Sequence, residues 1–235
     1  MKSEKALYVR EMFAAIAPRY DTANRVLTAG ADEAWRRRAL CELGAPRGGR
    51  ILDLCCGTGD LAFHALRRDP SATVVGVDFC EPMLEGARAR ARREDRCGRV
   101  EFVCADVMAL PFADDSFDGA TMGFSMRNVV DITATLRETL RVLRPGARFV
   151  NLDVSRAPNP LARILFEAYF YTIVPLIGGA VGGSKSAYRY LPQSLTNYPD
   201  ADGLAQRLRE AGFADVRYVR LGIGAIALHI GTKPS

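Results

Sequence analysis

The stretch Ile51-Leu52-Asp53-Leu54-Cys55-Cys56-Gly57-Thr58-Gly59-Asp60 sets the reading of the whole chain. Ile51–Cys55 is a mostly apolar run of strand length. Gly57 and Gly59 then permit a sharp turn and close approach of the backbone to a ligand, because no side chain intervenes. A helix is predicted to begin at Leu61. Strand, glycine turn and helix in that order form a nucleotide-type cradle. Asp53 and Asp60 flank the turn and can accept hydrogen bonds from an amine or a hydroxyl.

Two cofactor classes compete for such a cradle. Gly57-x-Gly59-x-x-Ala62 satisfies the dinucleotide fingerprint, in which the turn holds a pyrophosphate at a helix N-terminus. A carboxylate at Asp53, inside the strand end, opposes a pyrophosphate but suits the ammonium of a methionine moiety. Asp60 adds a second negative charge where a phosphate would need positive potential. The two acids therefore favour S-adenosylmethionine over a nicotinamide dinucleotide. A glycine turn with no ligand would leave both acids unexplained.

Upstream, residues 8–20 are predicted to form a short amphipathic helix. Val9, Met12, Phe13 and Ile16 fall on one face, and Pro18 ends it. Arg19-Tyr20-Asp21 leads through Asn24 to a second helical segment near Ala31–Leu43, anchored by the single tryptophan, Trp35. This leader either lies over the cofactor cleft or packs against the sheet edge.

Downstream, Leu61–Arg68 reads as a helix, with His64 at its surface, and Thr73–Asp78 as a second buried strand ending in an acid. Asp78 follows Gly59 by about 20 residues, where an acid binds ribose hydroxyls in nucleotide folds. Both cofactors carry ribose, so this residue does not separate them. Pro82 sits in the first turn of a helix running from Glu81 to about Arg93. Arg99–Cys104 is a third strand, and Asp106 after it either contacts an adenine amino group or caps a turn. Phe117–Gly123 is a fourth strand that exits into Arg127-Asn128. Those two residues stand where open α/β sheets bind ligands, with a structural Arg–carboxylate pair as the competing reading. Asp131–Leu143 is a helix capped by Asp131, and Ala147–Val154 a fifth strand.

Residues 158–179 are largely apolar and aromatic. Arg163 and Glu167 interrupt them and Pro175 breaks them, so they are predicted to form a buried or interfacial helix walling an apolar pocket, or additional core, rather than a membrane span. A flexible glycine stretch, Gly178–Gly183, follows. Asp202–Ala211 is a helix, and Phe213–Leu221 and Ala225–Ile230 form a closing antiparallel pair. Strands alternating with helices give an α/β fold: a Rossmann-like, doubly wound, mostly parallel sheet with an antiparallel C-terminal strand.

Composition narrows the function classes. The chain has 235 residues, with 49% apolar and 25% charged residues, which suits one sizeable domain. We read residues 1–235 as that domain, with a helical leader at 1–45 and a helical insertion at about 155–200. The net charge of +5 is mild. The clusters at Arg36-Arg37-Arg38 and Arg88 to Arg99 lack interleaved aromatics. They read as solvated helix faces, so no nucleic-acid partner is expected. The six cysteines form no C-x-x-C pair and no Cys/His group with zinc spacing, so no metal site is expected and the thiols read as reduced structural residues. No apolar signal core is visible near the N-terminus, which points to a cytoplasmic protein.

Taken together, the chain resembles the class I methyltransferases, and more closely the quinone-biosynthesis C-methyltransferases of the menaquinone/ubiquinone family. The residues that carry the resemblance span nearly the whole chain. They include Arg19-Tyr20-Asp21, Cys56-Gly57-Thr58-Gly59-Asp60-Leu61, Asp78 and Glu81-Pro82-Met83-Leu84. They continue with Ala105-Asp106, Gly123-Phe124, Arg127-Asn128-Val129, Arg144-Pro145-Gly146, Tyr188-Tyr190-Leu191 and Ala227-Leu228-His229. The glycine motif is generic to methyltransferases. The Arg-Tyr-Asp, Phe-x-x-Arg-Asn and Ala-Leu-His elements are specific to the family. Cys55-Cys56, Ala147 and Gly222-Ile223-Gly224 depart modestly from its pattern.

The resemblance implies a seven-stranded sheet and methyl transfer from S-adenosylmethionine to a ring carbon of a prenylated quinol, with S-adenosylhomocysteine as product. It implies cofactor contacts at Thr58, Asp78, Asp106, Val107 and Gly123, beside Asp53, Gly57 and Gly59 read from the motif. Arg127, Asn128, Tyr20 and His229 are the candidates for polarising a phenolic proton. Demethylmenaquinol is the expected acceptor. A ubiquinone-pathway quinol or another small molecule is the nearest alternative, and an NAD-dependent dehydrogenase or a non-catalytic cofactor-binding subunit is more distant. The lipophilic partner is compatible with transient contact at the inner face of a membrane, and a homodimer is compatible with the same reading.

Overall fold

A computed structural model describes residues 4–183 and 185–235. Met1–Ser3 of the stretch read for an export signal, and the side chain of Tyr188, lie outside the described part. Seven strands form one sheet in the order β3-β2-β1-β4-β5-β7-β6. They are β1 (Arg50–Leu54), β2 (Thr73–Asp78), β3 (Val100–Cys104), β4 (Phe117–Gly123), β5 (Leu143–Val154), β6 (Ala214–Leu221) and β7 (Ile226–Thr232). β7 is antiparallel to both β5 and β6, and the other pairs are parallel. The chain winds outward from β1 to β3, then returns to the other side of β1 with β4. The crevice at the carboxyl ends of β1 and β4 is therefore the topological switch point, where such sheets bind ligands.

Alternation along the strands sends side chains into a core on each face. Leu52, Leu54, Met122 and Phe149 enter one, and Ile51, Leu66, Leu84 and Leu152 the other. α4 (Asp60–Arg68), α5 (Glu81–Arg93), α6 (Ile132–Val142) and α10 (Ala201–Glu210) cover these faces. Asp131 accepts a hydrogen bond from Ala134 N and Asp200 one from Gly203 N, so α6 and α10 start on side-chain caps.

A third core lies off the sheet. Met12 and Ile16 of α1 (Glu4–Ile16) and Ala23 of α2 (Tyr20–Leu27) meet Phe170 and Val174 from the segment after β5. That segment is α7 (Pro160–Ala168), a π-turn over Tyr169–Ile173 and α8 (Val174–Gly182), followed by α9 (Lys185–Ser194). The leader and the post-β5 helices together roof the carboxyl edge of the sheet.

Several local expectations change. Tyr20–Leu27 is a helix of its own, though its polar eight residues are too short to signal one in isolation. Pro175 does not break the apolar run. It occupies the first turn of α8, and the wide π-turn before it accommodates the missing N–H. Gly178–Gly183 is not a loose stretch either: helix continues to Gly182, and Gly183 caps it at φ +79°. α8 packs on α2 and α9, and tertiary contact overrides the poor helix propensity of glycine. His64 is buried rather than at the surface. Burial, with Arg67 nearby, lowers its pKa to about 4. Arg36 is likewise buried, while Arg37 and Arg38 are exposed, because consecutive residues on α3 (Ala31–Leu43) point in directions about 100° apart. All six cysteines are free, and Cys41, Cys97 and Cys104 are exposed.

Candidate active site

The glycine turn is strained where it meets the crevice. Cys55 at the end of β1 and Phe124 just beyond β4 adopt φ +49° and +57°, unusual for residues with side chains. Gly59 sits at φ +84°, and a Cβ there would come within 2.9 Å of Phe63. Glycine is thus required by conformation and by space.

Three adjoining cavities meet at this turn, and Tyr20 borders all of them. The smallest, about 30 Å³, is polar and lies among Asp53, Gly57, Thr58, Asp60 and Gly123. The second, about 80 Å³, lies against Gly57, Asp78, Asp106, Val107 and Asn128. The third, about 330 Å³, is apolar and runs beneath the roof, with Phe13, Trp35, Phe124 and Phe170 among its walls and Arg127 at its inner end.

Asp53 is buried at the floor of the polar cavity. It accepts from Thr121 Oγ1 at 2.9 Å, its register partner on β4, and from Ala62 N at 3.1 Å in the first turn of α4. Burial outweighs these hydrogen bonds and pushes its pKa up to about 7. Asp60 behaves differently. Arg36 approaches to 3.2 Å and Arg90 to 2.7 Å. Partial burial opposes its charge, but these two guanidinium groups hold its carboxyl below the usual range. The charge of Asp60 is therefore already balanced, and the repulsion of phosphate expected from it weakens. Asp53 has no direct ion pair among the described residues, although Arg36, which lines the same cavity, acts on it at longer range.

Asp78 accepts from Gly57 N and Cys80 N, both at 2.9 Å, and so locks the turn to the end of β2. Each oxygen keeps a lone pair for a ribose hydroxyl. Asp106 accepts from Met108 N at 2.9 Å. Thr58 donates to Asp21 of the leader at 2.5 Å, and Lys5 of α1 donates to Val129 O at 2.7 Å. The leader therefore lies over the cleft, tied to it at two points.

Arg127 is buried and ion-paired with Asp153 of β5, which also accepts from Arg127 N at 3.4 Å. Burial raises the Asp153 carboxyl, and the Arg127 guanidinium opposes that shift. The structural Arg–carboxylate pair is present, and the same side chain lines the apolar cavity. Its Nε and both polar atoms of the Asn128 side chain are buried without partners among the described residues. Burial raises the pKa of the Tyr20 hydroxyl, so it stays a neutral donor, beside Asn24. His229 is not brought to the crevice. It borders none of the three cavities, its Nε2 pairs with Ala201 O at 2.9 Å, and burial lowers its pKa to about 4.

Sequence reading missed Asp153 and Arg36, and it noted Asp21 without assigning it a role. An acid at Asp153 within an otherwise buried strand was the available signal for a buried partner.

The donor set fits S-adenosylmethionine. Asp53, which has no direct ion pair among the described residues, lines the polar cavity, Asp78 lines the middle one, and the orphaned Asn128 amide offers a donor and an acceptor beside it. Comparison with known proteins agrees. A demethylmenaquinone methyltransferase of Roseiflexus sp. (strain RS-1) is 45% identical over 230 residues, covering 98% of this chain and 95% of that one. One from Thermus thermophilus is 46% identical over 225 residues, covering 95% and 100%. A ubiquinone/menaquinone biosynthesis C-methyltransferase UbiE of Paracoccus denitrificans is 40% identical over 233 residues, covering 99% and 93%. Among solved structures, a SAM-dependent methyltransferase of Thermotoga maritima, titled a possible histamine N-methyltransferase, superposes with TM-score 0.60 at 22% identity, covering 94% and 99%. The [4+2]-cyclase SpnF superposes with TM-score 0.69 at 20% identity, covering 96% and 95%. The last two establish the fold alone, which hosts more than one chemistry. The family model described as the ubiE/COQ5 methyltransferase family matches residues 1–233, and the chain belongs to that family.

Proposed function

We propose that the protein transfers a methyl group from S-adenosylmethionine to a ring carbon of a prenylated quinol, with demethylmenaquinol as the acceptor. One observation carries this reading: Tyr20 borders a polar cavity, a middle cavity and an apolar cavity at once. A donor spread over the first two would present its methyl at Tyr20, where a ring lodged in the third can meet it. The names of the relatives support the quinol class, and the Paracoccus relative's name covers the ubiquinone pathway as well. A benzoquinol is therefore the second reading.

When bound, S-adenosylmethionine supplies an already activated methyl. Asp53 would face its ammonium, Asp78 the ribose, and Asp106, Val107 and Asn128 the base, while Gly57, Thr58, Gly59 and Gly123 form the cradle. The protein's main task is then to hold the ring carbon in line with the methyl, which is catalysis by positioning. The ring must also gain electron density. A guanidinium is a poor proton acceptor, so Arg127, at the wall of the apolar cavity, would stabilise a phenolate rather than take the proton. Asp153 positions that guanidinium, and Tyr20 donates from the leader. His229 has a structural role in this scheme.

Calorimetric titration with S-adenosylhomocysteine and with NADH, followed by assay of labelled methyl transfer to demethylmenaquinol, tests the reading. Binding of the first ligand alone and transfer to the quinol are expected. NADH binding without S-adenosylhomocysteine binding would overturn the cofactor assignment. Donor binding with no transfer to either quinol class would overturn the acceptor.

A further inference from the structure

The rod formed by α7, the π-turn and α8 is apolar on two sides. Phe166, Tyr169, Phe170 and Val174 face the large cavity. On the same rod Leu161, Ile164, Leu165 and Leu176 are between 59% and 67% exposed. A helix serving only as a cavity wall needs one apolar stripe, with polar residues outward. Pro160–Ile177 has a mean hydropathy of 1.3, yet only 11% of it is buried. By length and composition alone this helix could cross a bilayer, but its inner side walls the cavity and packs on the leader helices, so only its outer side is available to lipid.

Two further observations identify what covers the outer side. Ile223 lines the large cavity and is itself 66% exposed, so the cavity reaches the surface at an apolar side chain. The cavity, at about 330 Å³, lies at the small end of ligand pockets, and on the quinol reading a long prenyl tail would extend beyond it. The rest of a long tail must leave through the mouth. The surroundings are basic: Arg156 and Arg163 are exposed, and Arg220 donates to the carbonyls of Arg156 and Gly224 beside Ile223. Glu167 is the acid on the rod, and the chain carries a net +5.

We propose that the outer side of the α7–α8 rod, with Ile223, docks on an anionic phospholipid bilayer, so that the quinol enters the cavity while its tail stays in lipid. The proposal rests on the quinol reading above for its substrate. Apolar side chains would settle at the acyl boundary, and the arginines would face lipid phosphates. A second copy of the chain seated here would close the mouth at Ile223, whereas lipid keeps it open to the tail.

The test is co-flotation of the full chain with phosphatidylcholine vesicles, with and without phosphatidylglycerol. The comparison variant combines Leu161→Ser, Leu165→Ser and Leu176→Ser, none of which borders a cavity. Wild type should float with phosphatidylglycerol vesicles, and the variant should partition at least about tenfold less. The variant's S-adenosylhomocysteine affinity and its turnover of a tail-less soluble quinol should match wild type. Equal flotation of the two proteins, or no flotation of wild type, overturns the proposal. So does a variant that changes only from dimer to monomer in sedimentation. Absence of methyl transfer by wild type to any quinol refutes the enzymatic reading independently of the vesicle result.

Discussion

Arg127 is held by one carboxylate, its Nε is buried without a partner among the described residues, and the side chain lines the apolar cavity. Replacing it by Ala should lower turnover by about 10²-fold or more while S-adenosylhomocysteine affinity stays within about twofold. The same change strands the buried Asp153 charge, which costs about 3–5 kcal/mol when a buried pair is broken. Arg127→Ala combined with Asp153→Asn removes both charges and separates the effects: stability should recover, and turnover should not. Single-turnover kinetics beside urea melts reads both. A loss of donor affinity in the double variant would show that Arg127 belongs to the cofactor cradle. At this scale the sequence revealed the residue but not its partner. The residues flanking β1 and β4 follow from the motif and the switch point, whereas the pairing with Asp153 depends on β5 lying beside β4.

At the scale of elements, the leader is the part with the least local signal and the largest role. α2 alone is too short and polar to be stable. It is held by the third core and by Thr58 donating to Asp21, while Lys5 ties the neighbouring α1 to Val129 O. Asp21→Ala should therefore loosen the roof without touching the sheet. Hydrogen exchange should speed up across Tyr20–Leu27 and stay unchanged in β1 and β4. S-adenosylhomocysteine should bind about tenfold more weakly, the value of a hydrogen bond to a charged group. Unchanged exchange in α2 would mean that core packing alone holds it. The π-turn before Pro175 has the same lesson. Sequence marks the proline as a breaker, and only a continuous apolar contact along α7 and α8 shows that the helix absorbs it.

For the molecule as a whole, buried titratable groups set opposing dependences on pH. His64 and His229, each with a pKa lowered to about 4, bind fewer protons folded than unfolded. Their contribution is present above about pH 6.5 and is lost as pH falls toward 4. Asp53, pushed up to about 7, acts the other way: its protonated form favours the fold, and that contribution fades as pH rises from about 4 to 7. Urea melts should show that His229→Gln removes about 2 kcal/mol of the stability lost between pH 7 and 5. Asp53→Asn should remove the loss of stability that accompanies the rise from about pH 4 to 7. Identical slopes for wild type and His229→Gln would mean that His229 is charged in the folded protein. By itself the sequence determined the succession of strands and of the helices between them, the antiparallel end, the glycine turn and its acids, because local periodicity and turn chemistry set these and they need no distant partner. Only the tertiary structure decided which charges were already spent, as Asp60 is on Arg36 and Arg90, and that His229 lies away from the crevice. The same holds for Tyr20 standing at the meeting of three cavities. Burial and pairing are properties of residues far apart in the chain, brought together only when the sheet and its roof close.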